Sequence, residues 1–221
     1  HIAQKIRKSY PYVDIVFGTH MLAQFPMILH EYLVSQKRIF DISLTDSEVP
    51  EDLPAYREDK VKAWLPIMHG CNNFCSFCIV PYVRGRERSR RPEKILEEAR
   101  ALVAAGYKEI MLLGQNVNSY GKGLEEPINF AGFLRLINGI EGDYRIRFMT
   151  SHPRDCTHEL IDTIAECGKV CKCIHLPVQS GCDRVLKEMN RHYDRASYLE
   201  LIDYARKKIP DVAFTSDIIV G

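Results

Sequence analysis

The sequence lacks any apolar segment close to the roughly 20 residues that a membrane-spanning helix needs. It also lacks an excess of charge of either sign, because 30 basic and 29 acidic residues leave a formal net charge of +1. A chain so balanced does not bind nucleic acid over its whole surface, so any such contact must be a local basic patch. No secretory signal peptide is visible at its beginning. We therefore expect a cytoplasmic protein without a membrane partner.

The sequence has eight cysteines, but a chain of 221 residues with no visible secretory signal does not suggest a disulfide framework. Three of them, Cys71, Cys75 and Cys78, lie in one short loop with the spacing C-x3-C-x2-C. An apolar run at residues 63–68 precedes them and predicts a buried strand. Extended backbone would separate the first and last cysteines by about 25 Å. The loop must therefore curl if the three thiols bind one centre, and the glycine before them and the two asparagines among them suit such a turn.

Three thiolates favour a metal centre with an open position. Structural zinc takes four protein ligands in a closed site, and an iron–sulfur cubane is commonly held by four cysteines. A cubane with three cysteine ligands leaves one iron free to bind another molecule. The alternatives that remain open are a zinc site and cysteines that only fill the core.

The three-cysteine loop, with Phe77 before its last cysteine, resembles the signature of radical S-adenosylmethionine enzymes. The resemblance continues at residues 79–90, 113–121, 175–181 and 189–191. Together these stretches resemble the methylthiotransferase family, and within it the type that acts on tRNA. The resemblance covers nearly the whole chain.

This resemblance implies an enzyme that adds a methylthio group to carbon 2 of N6-isopentenyladenosine beside the tRNA anticodon. It implies a 4Fe–4S cluster on Cys71, Cys75 and Cys78, with S-adenosylmethionine on the open iron as the source of a 5′-deoxyadenosyl radical. The implied partners are tRNA and an electron donor such as a flavodoxin or ferredoxin, and not DNA. Two alternatives stay open, namely a ribosomal-protein aspartate methylthiotransferase and a non-catalytic zinc-bearing RNA-binding module.

Strands alternate with helices from residue 61 onward, which predicts an α/β fold of parallel βα units. The predicted strands are at residues 63–68, 110–113, 146–148, 173–176 and 214–220. The resemblance implies a partial βα barrel of six strands. We therefore expect residues 61–221 to be a radical S-adenosylmethionine core that stops before its last strand.

Residues 1–38 predict the tail of a small α/β domain, and the acidic, proline-containing residues 39–60 suit a linker. The elements predicted in this tail are a helix at 2–9, a strand at 13–17 and a helix at 21–34. By resemblance, the tail is the C-terminal remnant of the family's N-terminal domain, and His1 stands where the family has a cysteine of an auxiliary cluster. We expect the chain to be a fragment or a diverged member.

Polar side chains follow three of the predicted strands, at the end where βα barrels build active sites. They are Gln115, Asn116, Ser151 and Gln179. Capping of loops is the ordinary alternative, but the resemblance favours a role in binding the cofactor or the substrate. No catalytic residue is assigned, and His152 and His175 are expected to be structural.

Alternate arginines follow the cysteine loop. They are Arg84, Arg86, Arg88 and Arg90. On an extended segment they would share one face, and guanidinium groups suit phosphate oxygens. We predict an RNA-binding surface here, against the alternatives of a solvated charged face or pairing with carboxylates such as Glu87.

The five cysteines outside the loop are expected to be structural thiols, because cysteine is among the most buried residue types. They are Cys156, Cys167, Cys171, Cys173 and Cys182.

Overall fold

A computed structural model describes residues 2–42 and 56–220. The chain forms two compact units, residues 1–54 and 55–221. His1 and most of the predicted linker at 39–60 lie outside the described residues. The domain boundaries inferred from the sequence stay predictions.

The first unit is a small α/β unit. Its elements are α1 (Ile2–Ser9), β1 (Ile15–Phe17), a 3-10 helix (Thr19–Gln24), α2 (Phe25–Ser35) and β2 (Ile39–Asp41). The two strands are parallel, so the chain crosses between them through α2. The guanidinium of Arg38 donates to the carbonyls of Arg7, Tyr10 and Val13, which ties the start of β2 to the end of α1. The predicted helix at 21–34 is thus a 3-10 turn followed by an α-helix.

The second unit alternates strands and helices, as the sequence predicts. Its strands are β3 (Lys62–Pro66), β4 (Met68–His69), β5 (Arg88–Ser89), β6 (Glu109–Leu113), β7 (Arg145–Phe148), β8 (Cys173–His175) and β9 (Ala213–Thr215). Its helices are α3 (Val80–Arg84), α4 (Pro92–Ala104), α5 (Phe130–Asn138), α6 (His158–Glu166), α7 (Asp183–Glu188) and α8 (Arg195–Lys208). The last predicted strand, at 214–220, is shorter than expected. A single bridge from Ile218 to Gln179 continues it beyond β9.

The strands of this unit that are connected through helices pair in parallel. β3, β6 and β7 form one sheet in that order, and β8 pairs with β9. A parallel bridge between Ile146 and Val170 links the two sheets. The order across the sheets therefore follows the order along the chain, with no closure into a barrel among residues 56–220. This confirms the predicted α/β class with a partial parallel barrel.

Burial along the strands reports their place in the sheet. In β3 the side chains of Ala63 and Leu65 are buried while Trp64 between them is exposed, the alternation of a strand covered on one face. In β6 the three consecutive residues 110–112 are all buried. Such a run is typical of a central parallel strand that is covered on both faces. The core thus lies around β6, with α4 packed against β3 and α5 between α4 and α6.

Local signals set where the helices begin and end. Pro92 starts α4, as predicted, because the first turn needs no amide hydrogen from it. Asn129, Thr157 and Asp194 cap α5, α6 and α8, each accepting a hydrogen bond from the backbone amide three residues further on. A cap of this kind contributes about 1 kcal/mol. None of the helices in the described ranges is both long and apolar enough to cross a membrane.

Candidate functional site

The three-cysteine loop returns on itself through the antiparallel pair β4 and β5. Gly70 enters it with a φ of +74°, and a Cβ at this position would lie 2.0 Å from the carbonyl oxygen of Arg86. Only glycine lets the two arms of the loop pass so closely. The amide of Cys71 then donates to the carbonyl of Gly85 at 3.3 Å. The loop therefore curls, as the cysteine spacing requires.

The three thiols of the loop lie within electrostatic reach of one another. Cys71 and Cys75 are buried and Cys78 is half-buried. Burial is the main cause that raises the pKa of Cys71, and the nearby Glu87, Cys75 and Cys78 raise it further, against a backbone hydrogen bond from Asn73. No three His, Cys, Asp or Glu side chains in the described ranges converge as ligands of a single metal ion. A cubane does not need such convergence, because each cysteine binds a different iron.

The connector between α7 and α8 holds the cysteine loop from the other side. The amide of Ser76 donates to the carbonyl of Met189 at 3.1 Å. The side-chain amide of Asn190 donates to the carbonyls of Asn73 and Phe74 at 3.2 and 3.0 Å. Phe74 and Asn190 both have positive φ angles, +48° and +57°, which non-glycine residues seldom adopt. The surrounding hydrogen bonds hold the loop in this conformation.

Arg191, from the same connector, reaches the cysteines themselves. Its Nη1 lies 3.2 Å from the Sγ atom of Cys75, and its Nη2 donates to the carbonyl of Pro177 at 3.3 Å. Its Nε donates to the hydroxyl of Tyr193 at 3.2 Å. Sequence reasoning missed this residue as a site residue, although it lies in the stretch 189–191 that contributes to the family resemblance.

Three of the four predicted cofactor-binding residues carry buried polar atoms without a hydrogen-bond partner among the described residues. These atoms are Gln115 Oε1, Asn116 Oδ1 and Ser151 Oγ. Gln179, the fourth, is buried with a φ of +66°. All four follow parallel strands, so they lie at the same edge of the sheets. An unpaired buried polar atom costs about 1–3 kcal/mol, which a bound ligand would offset. Their role in binding stays a prediction.

Glu87 is a second residue that sequence reasoning missed, having been considered only as a partner of arginines. Its Oε2 accepts a hydrogen bond from Ser119 at 2.5 Å, while its Oε1 is buried without a partner among residues that the structure describes. Burial raises the pKa of Glu87, although the bond from Ser119 acts in the opposite direction. Both polar side-chain atoms of neighbouring Asn118 are unpaired in the same way. This part of the site therefore offers further hydrogen-bonding groups to a ligand.

His152 follows β7 and is buried at the site. Burial, with the positive charges of Arg191 and Arg154, lowers its pKa to about 3, so the ring is neutral at physiological pH. Its Nδ1 accepts a hydrogen bond from the amide of Arg154 at 3.2 Å. The neutral ring therefore carries its hydrogen on Nε2, and this atom is buried without a partner in the described part of the chain. His152 thus presents a free donor, in addition to the structural role expected from the sequence.

The prediction that four arginines share one extended face is wrong. Arg84 is the last residue of α3, and Gly85 after it turns the chain with a φ of +77°. Arg90 is buried, donates to the carbonyl of Pro66 at 2.7 Å and pairs with Glu98 at 3.0 Å. It holds β5 and α4 to the end of β3, so its guanidinium is engaged within the fold.

Arg84 and Arg86 remain exposed beside the cysteine loop. The guanidinium of Arg86 lies 4.5 Å from the ring centroid of Phe74, and the ring of Tyr82 meets Phe74 edge-on. Tyr82 is 62% exposed. Arg88 is half-buried and donates to the carbonyl of Arg84 at 3.3 Å. A smaller surface of two cations and one aromatic ring thus replaces the predicted row of four.

The cysteines outside the loop lie in other settings. Cys156 and Cys167 belong to the hydrophobic core. Cys182 is exposed, and Cys171 and Cys173 are half-buried. Because β8 begins at Cys173, Cys171 precedes the strand.

Comparison with known proteins gives the family. The Radical SAM superfamily matches residues 65–221. A protein of Clostridium perfringens (strain SM101 / Type A), named tRNA-2-methylthio-N(6)-dimethylallyladenosine synthase, is 56% identical over 220 residues, which is 100% of this chain and 49% of that protein. Proteins of the same name from Thermoanaerobacter pseudethanolicus and Clostridioides difficile are 55% and 52% identical over the whole chain, which covers 47% and 46% of their lengths. The chain thus spans about half the length of the curated relatives it matches.

Solved structures share the fold at low sequence identity. The cobalamin-dependent S-adenosylmethionine radical enzyme OxsB has a TM-score of 0.58 at 15% identity, over 71% of this chain and 23% of that one. The radical S-adenosylmethionine methyltransferase TsrM from Kitasatospora setae has a TM-score of 0.58 at 16% identity, over 72% and 31%. With its parallel βα core, its three-cysteine loop and a superfamily match from β3 onward, the chain belongs to the Radical SAM superfamily.

Proposed function

We propose that this chain is the radical-generating part of an enzyme that adds a methylthio group to carbon 2 of N6-isopentenyladenosine beside the tRNA anticodon. The observation that carries the proposal is the position of the loop thiols. Segments that follow the parallel strands contact the loop and its flank: Arg154, after β7, donates to Asn73 of the loop, and Ser119, after β6, donates to Glu87. The tRNA substrate is supported by relatives of that name that are 52–56% identical over the whole chain.

The loop suits a 4Fe–4S cluster, the cofactor that members of this family use with S-adenosylmethionine. Cys71, Cys75 and Cys78 would hold three of its irons, and the fourth iron would be open to S-adenosylmethionine. When bound, the cluster supplies the electron that cleaves S-adenosylmethionine. The protein's own contribution is to bury the thiols and to fix the loop through Gly70 and Asn190.

S-adenosylmethionine presents both donors and acceptors, through its ammonium, carboxylate, ribose hydroxyls and adenine. Gln115 and Asn116 offer unpaired carbonyl oxygens, and Ser151 a hydroxyl. Gln179, buried after β8, completes the proposed set. Because the unpaired atoms of this set are already buried in the folded chain, they would orient the cofactor at little further entropic cost and exclude water from it.

Arg84 and Arg86 are the proposed RNA contacts, with Tyr82 as a ring on which a base can stack. The half-buried Arg88 supports Arg84 by donating a hydrogen bond to the Arg84 carbonyl. Reduction of the cluster requires an electron donor such as a flavodoxin or ferredoxin, and a reducing cytoplasm would keep the loop thiols free. The names of the matched relatives favour tRNA over a ribosomal protein, and the family favours a cubane over zinc.

The test uses the chain with its cluster rebuilt anaerobically and isopentenylated tRNA. We expect reductive formation of 5′-deoxyadenosine from S-adenosylmethionine, and tRNA binding that weakens with salt. The double change Arg84→Glu and Arg86→Glu should weaken binding and lower the log–log salt slope by roughly 0.7–0.9 for each lost phosphate contact.

The matched control carries the same charge change on exposed arginines of α4 and α8, Arg100→Glu with Arg206→Glu. It should bind like the unchanged chain. Equal weakening in both double variants would show that only net charge matters and would reject the proposed surface. If a chain with full iron and sulfide content forms no 5′-deoxyadenosine, the radical reaction itself is rejected.

A further inference from the structure

We infer that Arg191 sets the reduction potential of the cluster by donating a hydrogen bond from its cationic guanidinium to the thiolate of Cys75. The inference rests on the proposed function, because it requires a cluster in the cysteine loop. The observation behind it is the 3.2 Å distance between Arg191 Nη1 and Cys75 Sγ. Arg191 is a positioning and tuning residue here.

The charge of Arg191 has no conventional partner. The residue is 5% exposed, and no carboxylate forms an ion pair with it among residues 2–42 and 56–220. Its other two hydrogen bonds go to neutral groups, the carbonyl of Pro177 and the hydroxyl of Tyr193. A buried charge is costly unless an opposite charge compensates it. As a ligand of the proposed cluster, the sulfur of Cys75 is the group in hydrogen-bond contact that would supply that charge.

The guanidinium is fixed from several directions. The amide of Arg191 donates to the carbonyl of Leu186 at 3.0 Å, which closes the end of α7. The hydroxyl of Tyr193 accepts from Arg191 and donates to the carbonyl of Val178 at 2.7 Å. The ring of His152 meets Tyr193 edge-on with centroids 5.7 Å apart. Arg191 is therefore held in place before any cluster binds.

A fixed, buried cation beside a ligand sulfur has a defined electrostatic effect. Potentials of iron–sulfur clusters depend on net charge, on hydrogen bonds to the sulfurs and on solvent exposure. Uptake of one electron makes the cluster more negative, and a nearby cation in a medium of low dielectric constant stabilises that state more than the oxidised one. Arg191 should therefore raise the potential and make the cluster easier to reduce.

The experiment is a redox titration of the reconstituted chain, followed by electron paramagnetic resonance and without S-adenosylmethionine. For Arg191→Met we expect about a tenfold lower ratio of reduced to oxidised cluster at a given solution potential. This corresponds to a reduction potential lower by about 59 mV for one electron. Arg191→Lys should recover part of this shift, because it keeps the charge without the three-pronged contact. Tyr193→Phe, which removes one anchor of the guanidinium, should shift the potential in the same direction by less.

The matched control is Arg184→Met, which removes an exposed arginine of the neighbouring helix α7 and should leave the potential unchanged. Equal potentials in the unchanged chain and in Arg191→Met, at equal iron and sulfide content, would overturn this inference and leave the proposed function standing. So would weaker binding of S-adenosylmethionine at an unchanged potential. If Arg191→Met loses its cluster, an unshifted Tyr193→Phe overturns it. Absence of iron and sulfide from the unchanged chain would instead overturn the proposed function and this inference with it.

Discussion

Cys75, a proposed cluster ligand in the loop, and Cys156 in the core are both buried thiols in different surroundings. Their residues are 8% and 4% exposed. Burial alone raises the pKa of Cys156 to about 12, whereas Cys75 faces a guanidinium and lies near two further thiols. The proposed ligand thus differs from the core thiol in the polar and charged groups around it, and not in its depth.

The largest expected difference between the three-cysteine loop and the core around Cys156 is in metal content. Any one of the changes Cys71→Ala, Cys75→Ala or Cys78→Ala should abolish the cluster, because each removes a ligand. Cys156→Ala, the matched control, should keep the iron and sulfide content of the unchanged chain after anaerobic reconstitution. Normal iron in all three loop variants, or its loss from the control alone, would reverse the assignment.

A smaller effect is expected from the turn that admits the loop. Gly70→Ala adds a Cβ that would lie 2.0 Å from a backbone oxygen, at a φ of +74°. Left-handed strain of about 1–2 kcal/mol and overpacking of about 1–3 kcal/mol should together lower the free energy of unfolding by about 3 kcal/mol. Urea unfolding of the metal-free chain measures this.

The matched control for that change is Gly123→Ala. Gly123 has a φ of +84°, but a Cβ there would meet nothing within 4 Å. This variant should therefore show only the backbone strain, about 1–2 kcal/mol. Equal losses at the two glycines would mean that the close approach of the loop arms contributes nothing.

The smallest expected effect concerns pH. Because the folded chain raises the pKa of Cys156 from 9.0 to about 12, it binds the thiol proton more tightly than the unfolded chain does. The stability that this contributes is complete below about pH 9 and is lost as pH rises toward 12.

The free energy of unfolding should therefore fall less steeply between pH 8.5 and 10.5 in Cys156→Ala than in the unchanged chain, by up to about 2 kcal/mol over that range. The difference between the two chains is the quantity to measure, because Tyr144 also has a pKa raised to about 12 by burial. An identical pH dependence in both chains would show that Cys156 is not protected from ionisation.

Much of the fold was predictable because it depends on local patterns. The strands at 110–113 and 173–176 differ from β6 and β8 by a single residue at one end. The start of α4 at Pro92 followed from the chemistry of helix ends. The arginine run was mispredicted because its alternation presupposed an extended segment, whereas α3 and Gly85 turn the chain. A pattern of alternate residues is informative only when the backbone between them is known.

The sequence by itself determined the three-cysteine loop, the family and the order of strands and helices, because spacing, periodicity and turn chemistry act over a few residues. Only the tertiary structure decided which groups surround the thiols. Arg191 lies 116 residues from Cys75 along the chain, yet its guanidinium contacts the sulfur. The unpaired atoms of Gln115 and Ser151 likewise come to one edge through the parallel pairing of their strands. Contacts of this kind depend on how distant segments pack, which no local pattern records.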